Sequence, residues 1–406
     1  MLTEMRKLKF LMTTTFYPPY HVGGDAVHVK YLADELGKKG HEVHVMFSVD
    51  AYRIKRGKIS DLSIESGQVY LHPLRSPRGR LEPLLVYLLG KSSYFSKEFN
   101  KLVDEICPDV VHHHNISLMG YDLLPKRSSY FNLYTAHDYW LICQQNLLLK
   151  KGRVCYSQNR LSCAICALGS GRPPQLWRQG NAFIEAIRDI DLAIAPSNYV
   201  GSVLSQRLSF PFLTIPNFVP SPSEPTTPVD FPDYFLFVGV LAKHKGVVQL
   251  VNIFKDYQQE IDAHLVVVGT GPLESYLRSY VKRNSLGEII HILGWCPQDM
   301  LHSLLHDARA LVMPSLWPEN CPLAALEALS MGTPVIASNM GGLPEIAGLQ
   351  GSNFVYDPGH LREALTKIRN ARPGREQIKD IYQRHFSPEA FTSRYLELVC
   401  RGIEND

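Results

Sequence analysis

Six prolines fall between residues 216 and 232 of this 406-residue chain and divide it into two halves. Proline lacks a backbone N–H and fixes φ, so a run this dense can form neither a helix nor a central strand. Serine and threonine lie between the prolines, which favours an interdomain linker at residues 216–232. At about 150 residues per domain, each half is long enough to form a domain of its own.

Each half repeats short β-branched runs separated by apolar stretches of helical spacing. The run Lys9–Thr15 predicts a strand, residues 29–36 predict a helix that Gly40 stops, and Val43–Phe47 predicts the next strand. Further strands are expected at residues 110–112, 132–135, 192–195, 235–238, 265–268, 289–293, 310–313 and 335–337. The strand–helix–strand order requires parallel pairing, so the sequence predicts two doubly wound α/β domains.

The composition is that of an ordinary globular protein, with 45% hydrophobic and 20% charged residues. It excludes a fibre, a disordered tail protein and a small disulfide scaffold. The longest apolar run, residues 84–89, is far below the ~20 residues that span a bilayer. The start of the chain makes a poor export signal, so we expect a cytoplasmic protein whose cysteines are mostly reduced.

Charge is unevenly distributed along the chain. Residues 1–220 carry 26 basic and 18 acidic residues, net +8, whereas residues 221–406 carry 16 and 21, net −5. The basic excess is concentrated between Arg53 and Lys91. It favours an anionic partner such as phospholipid, lipid phosphate or nucleic acid, and a solvated basic surface explains it equally well. Because no basic motif is interleaved with aromatic residues, we expect no nucleic acid partner.

The strongest candidate site follows the predicted strand at residues 310–313. A loop leads into a helix that begins near Pro322, where proline is well tolerated. Its free amides at residues 321–324 and the positive end of its dipole predict an anion site suited to a diphosphate. Glu319 at the edge of the loop and Glu327 within the helix are placed to accept hydrogen bonds from sugar hydroxyls. The alternative is a capped amphipathic helix with two surface glutamates.

This segment closely resembles family 4 of the retaining nucleotide-sugar glycosyltransferases. The shared pattern is Glu319-x7-Glu327, then residues 328–338, then Gly341-Gly-Leu-Pro-Glu345. The resemblance continues in the right order over nearly the whole chain, through residues 16–19, 23–24, 32–36, 40–43, 108–114, 135–138, 215–217 and 268–272. It implies the GT-B fold, in which two Rossmann-like doubly wound parallel-sheet domains face each other across a cleft.

The resemblance implies roles for residues of the second half. Glu319 matches a glutamate that contacts the transferred sugar, Glu327 one that binds the nucleotide ribose, and Lys245 a lysine that neutralises the diphosphate. The other implied donor-binding residues are Gly239, Gly269, Gly271, Trp295, Asn320, Cys321, Pro322 and Leu323. For Trp295 an ordinary loop remains the alternative.

The chain departs from the family pattern at two places near the donor. Val240 stands where arginine is frequent as a second phosphate cation, and Lys243 and His244 are the candidates that could replace it. Asn320-Cys321-Pro322 stands where Gly-Phe-Gly is frequent. Both departures bear on how the donor is held rather than on the fold.

In the first half the resemblance points to a glycine pair and a histidine. Gly23 and Gly24 match the glycines that let backbone approach the donor phosphate, and a plain loop is the alternative. His137 matches a histidine that hydrogen-bonds the donor sugar. Three consecutive histidines, residues 112–114, lie at the end of the strand predicted at residues 110–112, and only His112 and His114 share a face. They could bind a metal, but one or two histidines that line the acceptor side at the cleft end of the strand are the favoured interpretation.

Four cysteines are spaced as Cys143-x11-Cys155-x7-Cys163-x2-Cys166. Four thiolates suit tetrahedral zinc, and the last pair has the spacing of a zinc knuckle. The pattern predicts a structural zinc site, with free thiols and two disulfides as alternatives.

These observations predict an N-terminal acceptor-binding domain at residues 1–215, with a cysteine-containing insertion at 143–170. A linker at 216–232 leads to a donor-binding domain at 233–385, and a helix at 386–406 packs back towards the first domain.

The function we expect is a retaining, hexosyl-type transfer from a nucleoside-diphosphate sugar, without a catalytic metal or other cofactor. The acceptor is a glycan, a lipid-linked sugar or a small molecule. The alternatives are an inactive GT-B relative that acts as a binding subunit, and a GT-B sugar-nucleotide epimerase or phosphorylase.

Residues 81–95 form an apolar stretch flanked by Arg75, Arg78, Arg80 and Lys91. An apolar helix edged with cations is suited to a membrane interface, so we expect peripheral docking on the inner, anionic face of a membrane. A helix buried in the core is the alternative, because six consecutive apolar residues also fit burial.

Overall fold

The computed structural model describes residues 6–56, 68–126, 129–155, 159–222, 227–368 and 373–405. The strands, in chain order, are β1 (Lys9–Thr14), β2 (Glu42–Ser48), β3 (Val69–Leu74), β4 (Val110–His113), β5 (Phe131–Thr135), β6 (Leu149–Lys150), β7 (Arg153–Val154), β8 (Leu192–Ala195), β9 (Phe212–Thr214), β10 (Tyr234–Val238), β11 (His264–Val268), β12 (Ile290–Gly294), β13 (Ala310–Met313), β14 (Val335–Ser338) and β15 (Val355–Tyr356). The helices are α1 (Gly24–Lys38), α2 (Val49–Arg56), α3 (Leu81–Leu89), α4 (Ser93–Ile106), α5 (Arg160–Gly169), α6 (Asn181–Arg188), α7 (Asn198–Ser205), α8 (Val247–Ile261), α9 (Glu274–Arg283), α10 (Gln298–Asp307), α11 (Leu323–Ser330), α12 (Leu343–Ala347), α13 (Leu361–Ile368), α14 (Arg375–His385) and α15 (Pro388–Asn405).

The first compact unit comprises residues 1–148, 155–215 and 391–406. Its sheet has the order β3-β2-β1-β4-β5-β8-β9, with every neighbouring pair parallel. Strand β1 lies at its centre, and Phe10, Leu11 and Met12 are fully buried because helices cover both faces of such a sheet. Helix α1 buries the predicted apolar residues and ends at Lys38, with Gly40 at φ +87° just beyond. The predicted helix stop is therefore confirmed.

The second compact unit comprises residues 149–154 and 216–390. Its main sheet has the order β12-β11-β10-β13-β14-β15 and is also parallel throughout. A two-stranded hairpin of β6 and β7 accounts for residues 149–154. The linker residues 216–222 and 227–232 form neither helix nor strand, and residues 223–226 lie outside the described part of the chain. The two parallel sheets confirm the predicted doubly wound α/β architecture.

In both units the strand order reverses beside the first strand. The switch lies between β1 and β4 in the first sheet and between β10 and β13 in the second. Loops leave such a point in opposite directions and open a crevice at the carboxyl ends of the strands. The residues predicted to carry chemistry follow these strands: Gly23 follows β1, His114 follows β4, Lys245 follows β10 and Glu319 follows β13.

Helix α3 does not behave as a core helix. Leu81, Leu84, Leu88 and Leu89 are 46–62% exposed, so the interpretation of residues 84–89 as a buried helix is wrong. Among the described residues, no helix has both the length and the apolar character needed to cross a bilayer. Lys58, part of the basic stretch noted above, lies outside the described residues.

Two glycines after β11 are required by close backbone contact. Gly269 has φ +129°, and a Cβ there would lie 1.9 Å from the carbonyl oxygen of Gly239. A Cβ on Gly271 would lie 2.6 Å from the carbonyl oxygen of Leu241. The loop after β11 thus packs directly on the loop after β10, where Leu241 N also donates to Thr270 O over 3.0 Å.

We predict that Gly269→Ala lowers the free energy of unfolding by more than about 2 kcal/mol, because positive φ and a backbone clash combine. Gly287→Ala is the matched control, since nothing lies within 4 Å of its Cβ and its φ is not positive. Its effect should stay within about 0.5 kcal/mol. Urea unfolding followed by fluorescence measures both, and equal stabilities for the two variants would refute the packing argument.

Candidate active site

The centre of the candidate site in the second unit is an ion pair between Lys245 and Glu319. Lys245 Nζ lies 2.6 Å from Glu319 Oε1, and Ser315 Oγ donates to the same oxygen over 2.6 Å. Only 4% of Glu319 is exposed, whereas sequence reasoning placed it at the edge of the loop. Lys245 Nζ also lies 5.3 Å from the centre of the Trp317 ring, a cation–π distance. Ser315 and Trp317, which contact this ion pair, were not predicted from the sequence.

Glycine at position 246 allows Lys245 to reach Glu319. Gly246 has φ +73°, and a Cβ there would lie 1.8 Å from the carbonyl oxygen of Pro314. The loop after β10 therefore contacts the loop after β13 backbone to backbone, and Leu316 N donates to His244 O over 2.8 Å. Burial and the neighbouring Lys245 lower the pKa of His244, so that its ring is neutral near pH 7.

The backbone of Glu319 is held from the other side by the loop after β14. Gly342 N donates to Glu319 O over 2.7 Å. Gly341 has φ +65°, and a Cβ there would lie 2.2 Å from that same carbonyl oxygen. The Gly-Gly pair therefore has a local role, which is to let this loop approach the segment that carries Glu319.

Helix α11 begins as the sequence predicts, with Pro322 as its N-terminal cap and Leu323 as its first residue. Asn217 Nδ2 donates to the carbonyl oxygen of Cys321 over 2.8 Å and fixes the turn that enters the helix. Cys321 and Asn320 are buried, and burial raises the pKa of the Cys321 thiol to about 12, so this thiol is neutral. Asn217 lies in the matched Ile-Pro-Asn segment, which was the only sign of its role in the sequence.

Glu327 is partly exposed in the second turn of α11. Burial raises the pKa of its carboxyl to about 7. Within the described part of the chain, no side chain or backbone N–H donates to this carboxylate. A half-buried carboxyl group without an internal donor is suited to accept hydrogen bonds from a ligand.

The other residues predicted at the donor site divide into two kinds. Gly239, Gly269 and Gly271 pack loop against loop, as described above, rather than lining an open surface. Trp295, which directly follows β12, is 76% exposed, and Val240 is 51% exposed.

In the first unit the structure pairs His137 with His114. His114 Nδ1 and His137 Nε2 lie 3.0 Å apart at the carboxyl ends of β4 and β5. Burial lowers the pKa of His137 to about 4, although the charge of Asp25 opposes the shift. Burial also lowers the pKa of His114, so both rings are neutral near pH 7. His114 as the partner of His137 was not predicted.

The three consecutive histidines divide between the two faces of the sheet as predicted. The rings of His112 and His114 lie 4.0 Å apart, and His112 Nδ1 lies 2.9 Å from Tyr395 Oη of α15. His113 faces the other way and bonds Thr13 Oγ1 through Nδ1 over 2.7 Å. The fully buried His113 and His112 therefore belong to the core.

The glycine pair lies at the start of α1. Gly23 has φ +96° and caps the helix, and Gly24 is its first residue. A Cβ on Gly23 would lie 2.9 Å from Asp25 Oδ1, so the left-handed backbone and this carboxylate together favour glycine. Asp25 Oδ2 accepts a hydrogen bond of 2.8 Å from Asn115 Nδ2, just beyond β4.

The structural zinc site expected from Cys143, Cys155, Cys163 and Cys166 is not formed. Among the described residues, no three histidine, cysteine, aspartate or glutamate side chains are grouped as a metal site requires. Instead, Gln145 Nε2 lies 2.9 Å from Cys166 Sγ and 3.0 Å from the carbonyl oxygen of Cys166. All eight cysteines are free of disulfides, so the alternative of two disulfides is wrong as well.

We predict that His113 makes the protein less stable as the pH falls. Burial lowers its pKa from 6.5 to about 3, so below pH 6.5 the unfolded chain binds a proton that the folded chain does not. The free energy of unfolding must then fall as the pH falls through this range. The slope contributed by one such group is up to about 1.4 kcal/mol per pH unit.

Urea unfolding of the wild type and of His113→Asn at about pH 7, 6 and 5 measures this slope. The variant keeps a polar group beside Thr13 and should show the shallower dependence. Parallel curves for the two proteins would show that His113 does not carry the effect.

Two family models match the chain and together cover most of it. The model described as "Glycosyltransferase Family 4" matches residues 22–221. The model described as "Glycosyl transferases group 1" matches residues 224–384. The boundary between the two matches falls within the proline-rich segment.

Individual relatives match over nearly their whole length. An uncharacterized glycosyltransferase of Methanocaldococcus jannaschii is 24% identical over 93% of this chain and 94% of its own. The solved sucrose-phosphate synthase of Thermosynechococcus elongatus has a TM-score of 0.72 at 18% identity, over 98% of this chain and 100% of its own. The catalytic domain of starch synthase IV from Arabidopsis thaliana, solved with ADP and acarbose, has a TM-score of 0.66 at 14% identity, over 98% and 100%.

Proposed function

We propose that this chain, a glycosyltransferase of the GT-B fold, transfers a hexosyl unit from a nucleoside-diphosphate sugar with retention at the anomeric carbon. The observation that carries the proposal is the Lys245–Glu319 pair at the switch point between β10 and β13. It brings a fixed cation and a carboxylate together directly before the N-terminus of α11. The starch synthase IV structure, which contains ADP, supports a nucleotide in this fold.

The diphosphate would bind to the N-terminus of α11 and to Lys245. Free backbone amides and the helix dipole favour an anion there, and negative charge grows on the leaving phosphate in the transition state. His244 is neutral and Val240 has no charge, so Lys245 and the exposed Lys243 are the cations of this loop. No step of this binding requires a metal ion.

Glu319 would hold the transferred sugar through its second oxygen. Lys245 and Ser315 both donate to Oε1, whereas nothing in the described part of the chain hydrogen-bonds Oε2. Oε2 is therefore the oxygen left to accept a sugar hydroxyl. Glu327 would accept hydrogen bonds from the ribose, since its half-buried carboxylate has no internal donor.

Transfer would proceed on the face that the nucleotide leaves. The bond between the anomeric carbon and the phosphate oxygen breaks, the acceptor oxygen bonds to the same carbon, and the acceptor proton passes to the leaving phosphate. His137 is neutral, so it serves as a hydrogen-bonding partner of the donor sugar rather than as a charge. Retention follows because nucleophile and leaving group occupy the same face.

We place the acceptor hydroxyl on the N-terminal domain, carried by a glycan, a lipid-linked sugar or a small molecule. The net charge of +8 on residues 1–220 favours an anionic surface as its surroundings. Among these acceptors, a lipid-linked sugar at the inner face of a membrane fits this charge best.

We predict that Glu319→Gln lowers kcat by about 100-fold or more, because the sugar contact that strengthens in the transition state is weakened. Glutamine is the informative change. Alanine would leave a cavity and remove the hydrogen-bond partner of Lys245, since Glu319 is buried and ion-paired. Radiolabelled transfer or nucleotide release measures the rate.

Glu260→Gln makes the same chemical change on the exposed face of α8, where Glu260 pairs with Arg362, and should keep full activity. Thermal unfolding checks that both variants fold. Near wild-type kcat/KM in folded Glu319→Gln would refute the assignment of this carboxylate to the donor sugar.

A second prediction concerns the pH dependence of nucleotide binding. Because burial raises the pKa of Glu327 to about 7, this group is protonated at lower pH and then accepts hydrogen bonds poorly. Affinity for the nucleoside diphosphate should therefore weaken below about pH 7, by up to tenfold per pH unit. In Glu327→Gln we expect weaker binding, by about 1.5 kcal/mol, and a shallower pH dependence, because only the ionisation of the diphosphate itself (pKa about 6) still contributes. Calorimetric titrations at several pH values decide, and an unchanged pH profile in the variant would count against the role of Glu327.

A further inference from the structure

We propose that one face of the N-terminal unit, formed by α3, α5 and the turn that carries Leu176, docks on an anionic membrane surface. We call it the docking face and define its apolar residues as Leu81, Leu84, Leu88, Leu89, Leu161, Ile165, Leu168 and Leu176. The inference rests on the proposed function only in that a membrane would present a lipid-linked acceptor. The surface itself follows from exposure and charge.

Helix α5 has an apolar stripe that faces solvent. Leu161, Ile165 and Leu168 are 70%, 61% and 62% exposed, and their spacing of four and then three residues places them on one side of the helix. Of the residues in α5, only Ala167 is buried. A helix of a globular domain ordinarily turns such a stripe towards the core, so this one is oriented the opposite way.

Helix α3 continues the same character. Its exposed leucines alternate with a short buried side made of Glu82, Pro83 and Val86. Glu82 is turned inwards, where it accepts hydrogen bonds from Ser76 Oγ and Ser92 Oγ. The only acidic side chain of α3 is therefore withdrawn from the face that the leucines present.

Hydrogen bonds join α3 to the turn that follows α5. Tyr87 of α3 donates through its hydroxyl to Pro173 O over 3.1 Å and accepts at its carbonyl oxygen from Trp177 Nε1 over 3.1 Å. Arg172 N donates to Ala167 O at the end of α5 over 3.0 Å. The turn that follows α5 thus packs on α3. Leu176, in this turn, is 71% exposed.

Charge in the segments that form the docking face is mostly positive, and the side of the face formed by α5 has no acidic residue. The sequence has no acidic residue at positions 139–184, and Glu82 is the only acid between Glu65 and Glu98. The exposed cations on these helices and beside them are Arg75, Arg78, Arg80, Lys91, Arg160 and Arg172. Asp104 and Glu105 of α4 are exposed and line one pocket with Leu89 and Lys91, so acids border the face beside the end of α3. Exposed leucines rimmed mainly by cations match the apolar boundary and anionic headgroups of a bilayer.

This composition selects a bilayer over a protein partner. Seven of the eight apolar side chains lie on α3 and α5, and Leu176 lies in the turn. Leu89 lines a pocket that it shares with charged residues of α4, which does not suit an apolar peptide. Insertion of these side chains below the headgroups removes them from water, while the cations remain at the level of the lipid phosphates.

The experiment is flotation of the full chain with vesicles of phosphatidylglycerol and phosphatidylcholine, and with vesicles of phosphatidylcholine alone. The wild type should bind the anionic vesicles and release them at high salt. Arg160→Glu with Arg172→Glu should weaken this binding by about 30-fold or more, since each basic residue contributes about fivefold at an anionic surface. Leu161→Ser with Ile165→Ser and Leu168→Ser should weaken it by at least tenfold without changing the charge.

Matched controls change the same residue types elsewhere. Lys282→Glu with Arg283→Glu alters net charge equally on exposed α9, and Leu213→Ser with Leu349→Ser removes other exposed leucines. The controls should bind vesicles like the wild type. All variants should keep nucleotide affinity and transfer to a water-soluble acceptor. Loss of vesicle binding with transfer intact separates this inference from the proposed function.

Three results would overturn the docking face. They are binding to neither vesicle at low salt, equal losses in the control variants, and a dimer that the serine variants dissociate while vesicle binding is absent. If vesicle binding depends on α5 but no sugar is transferred to any acceptor, the docking face stands and the proposed function fails.

Discussion

The candidate donor site depends on one close backbone contact, between Gly246 and the carbonyl oxygen of Pro314. A Cβ at position 246 would overlap that oxygen, so any other residue would push the loop after β10 away from the loop after β13. Lys245 would then leave Glu319, which is buried and needs a counter-charge. The same kind of contact, a glycine Cα against a carbonyl oxygen, occurs between Gly269 and Gly239 and between Gly341 and Glu319. These glycines shape the site because they let loops pack backbone to backbone. The fold therefore requires them even where they do not contact a ligand.

The sequence predicts the central strands of both sheets and the edge strand β12, but it misses the edge strands β3, β9 and β15. Central strands such as β1 and β10 are buried on both faces and appear as continuous apolar runs. The edge strands β3 and β9 carry exposed residues, Tyr70 at 58% and Leu213 at 45%, and neither was predicted. An edge strand has only one neighbour, so its apolar pattern is weaker and single-sequence periodicity does not separate it from a loop.

At the site, residue types could be predicted but their pairings could not. Glu319, Glu327 and Lys245 were found because they lie in a motif. The ion pair joins residues 74 positions apart, and nothing local in the sequence marks it. The cysteines show the opposite error. Their spacing predicted one shared zinc ion, whereas Gln145 contacts the Cys166 sulfur instead. Spacing along the chain constrains which residues can meet on one helix, but it does not place a loop against that helix.

Apolar periodicity also leaves open which way a helix faces. Helices α1 and α5 both carry leucine or isoleucine at helical spacing, yet α1 buries its stripe and α5 exposes it. The flanking charges separate the two cases. Helix α1 contains Asp25, Asp34 and Glu35, and its polar face is mixed in sign, whereas α5 lies in a segment that has cations and no acids. An apolar stripe bordered by both signs of charge needs a core to cover it. A stripe bordered by cations alone has a second stable environment at an anionic bilayer.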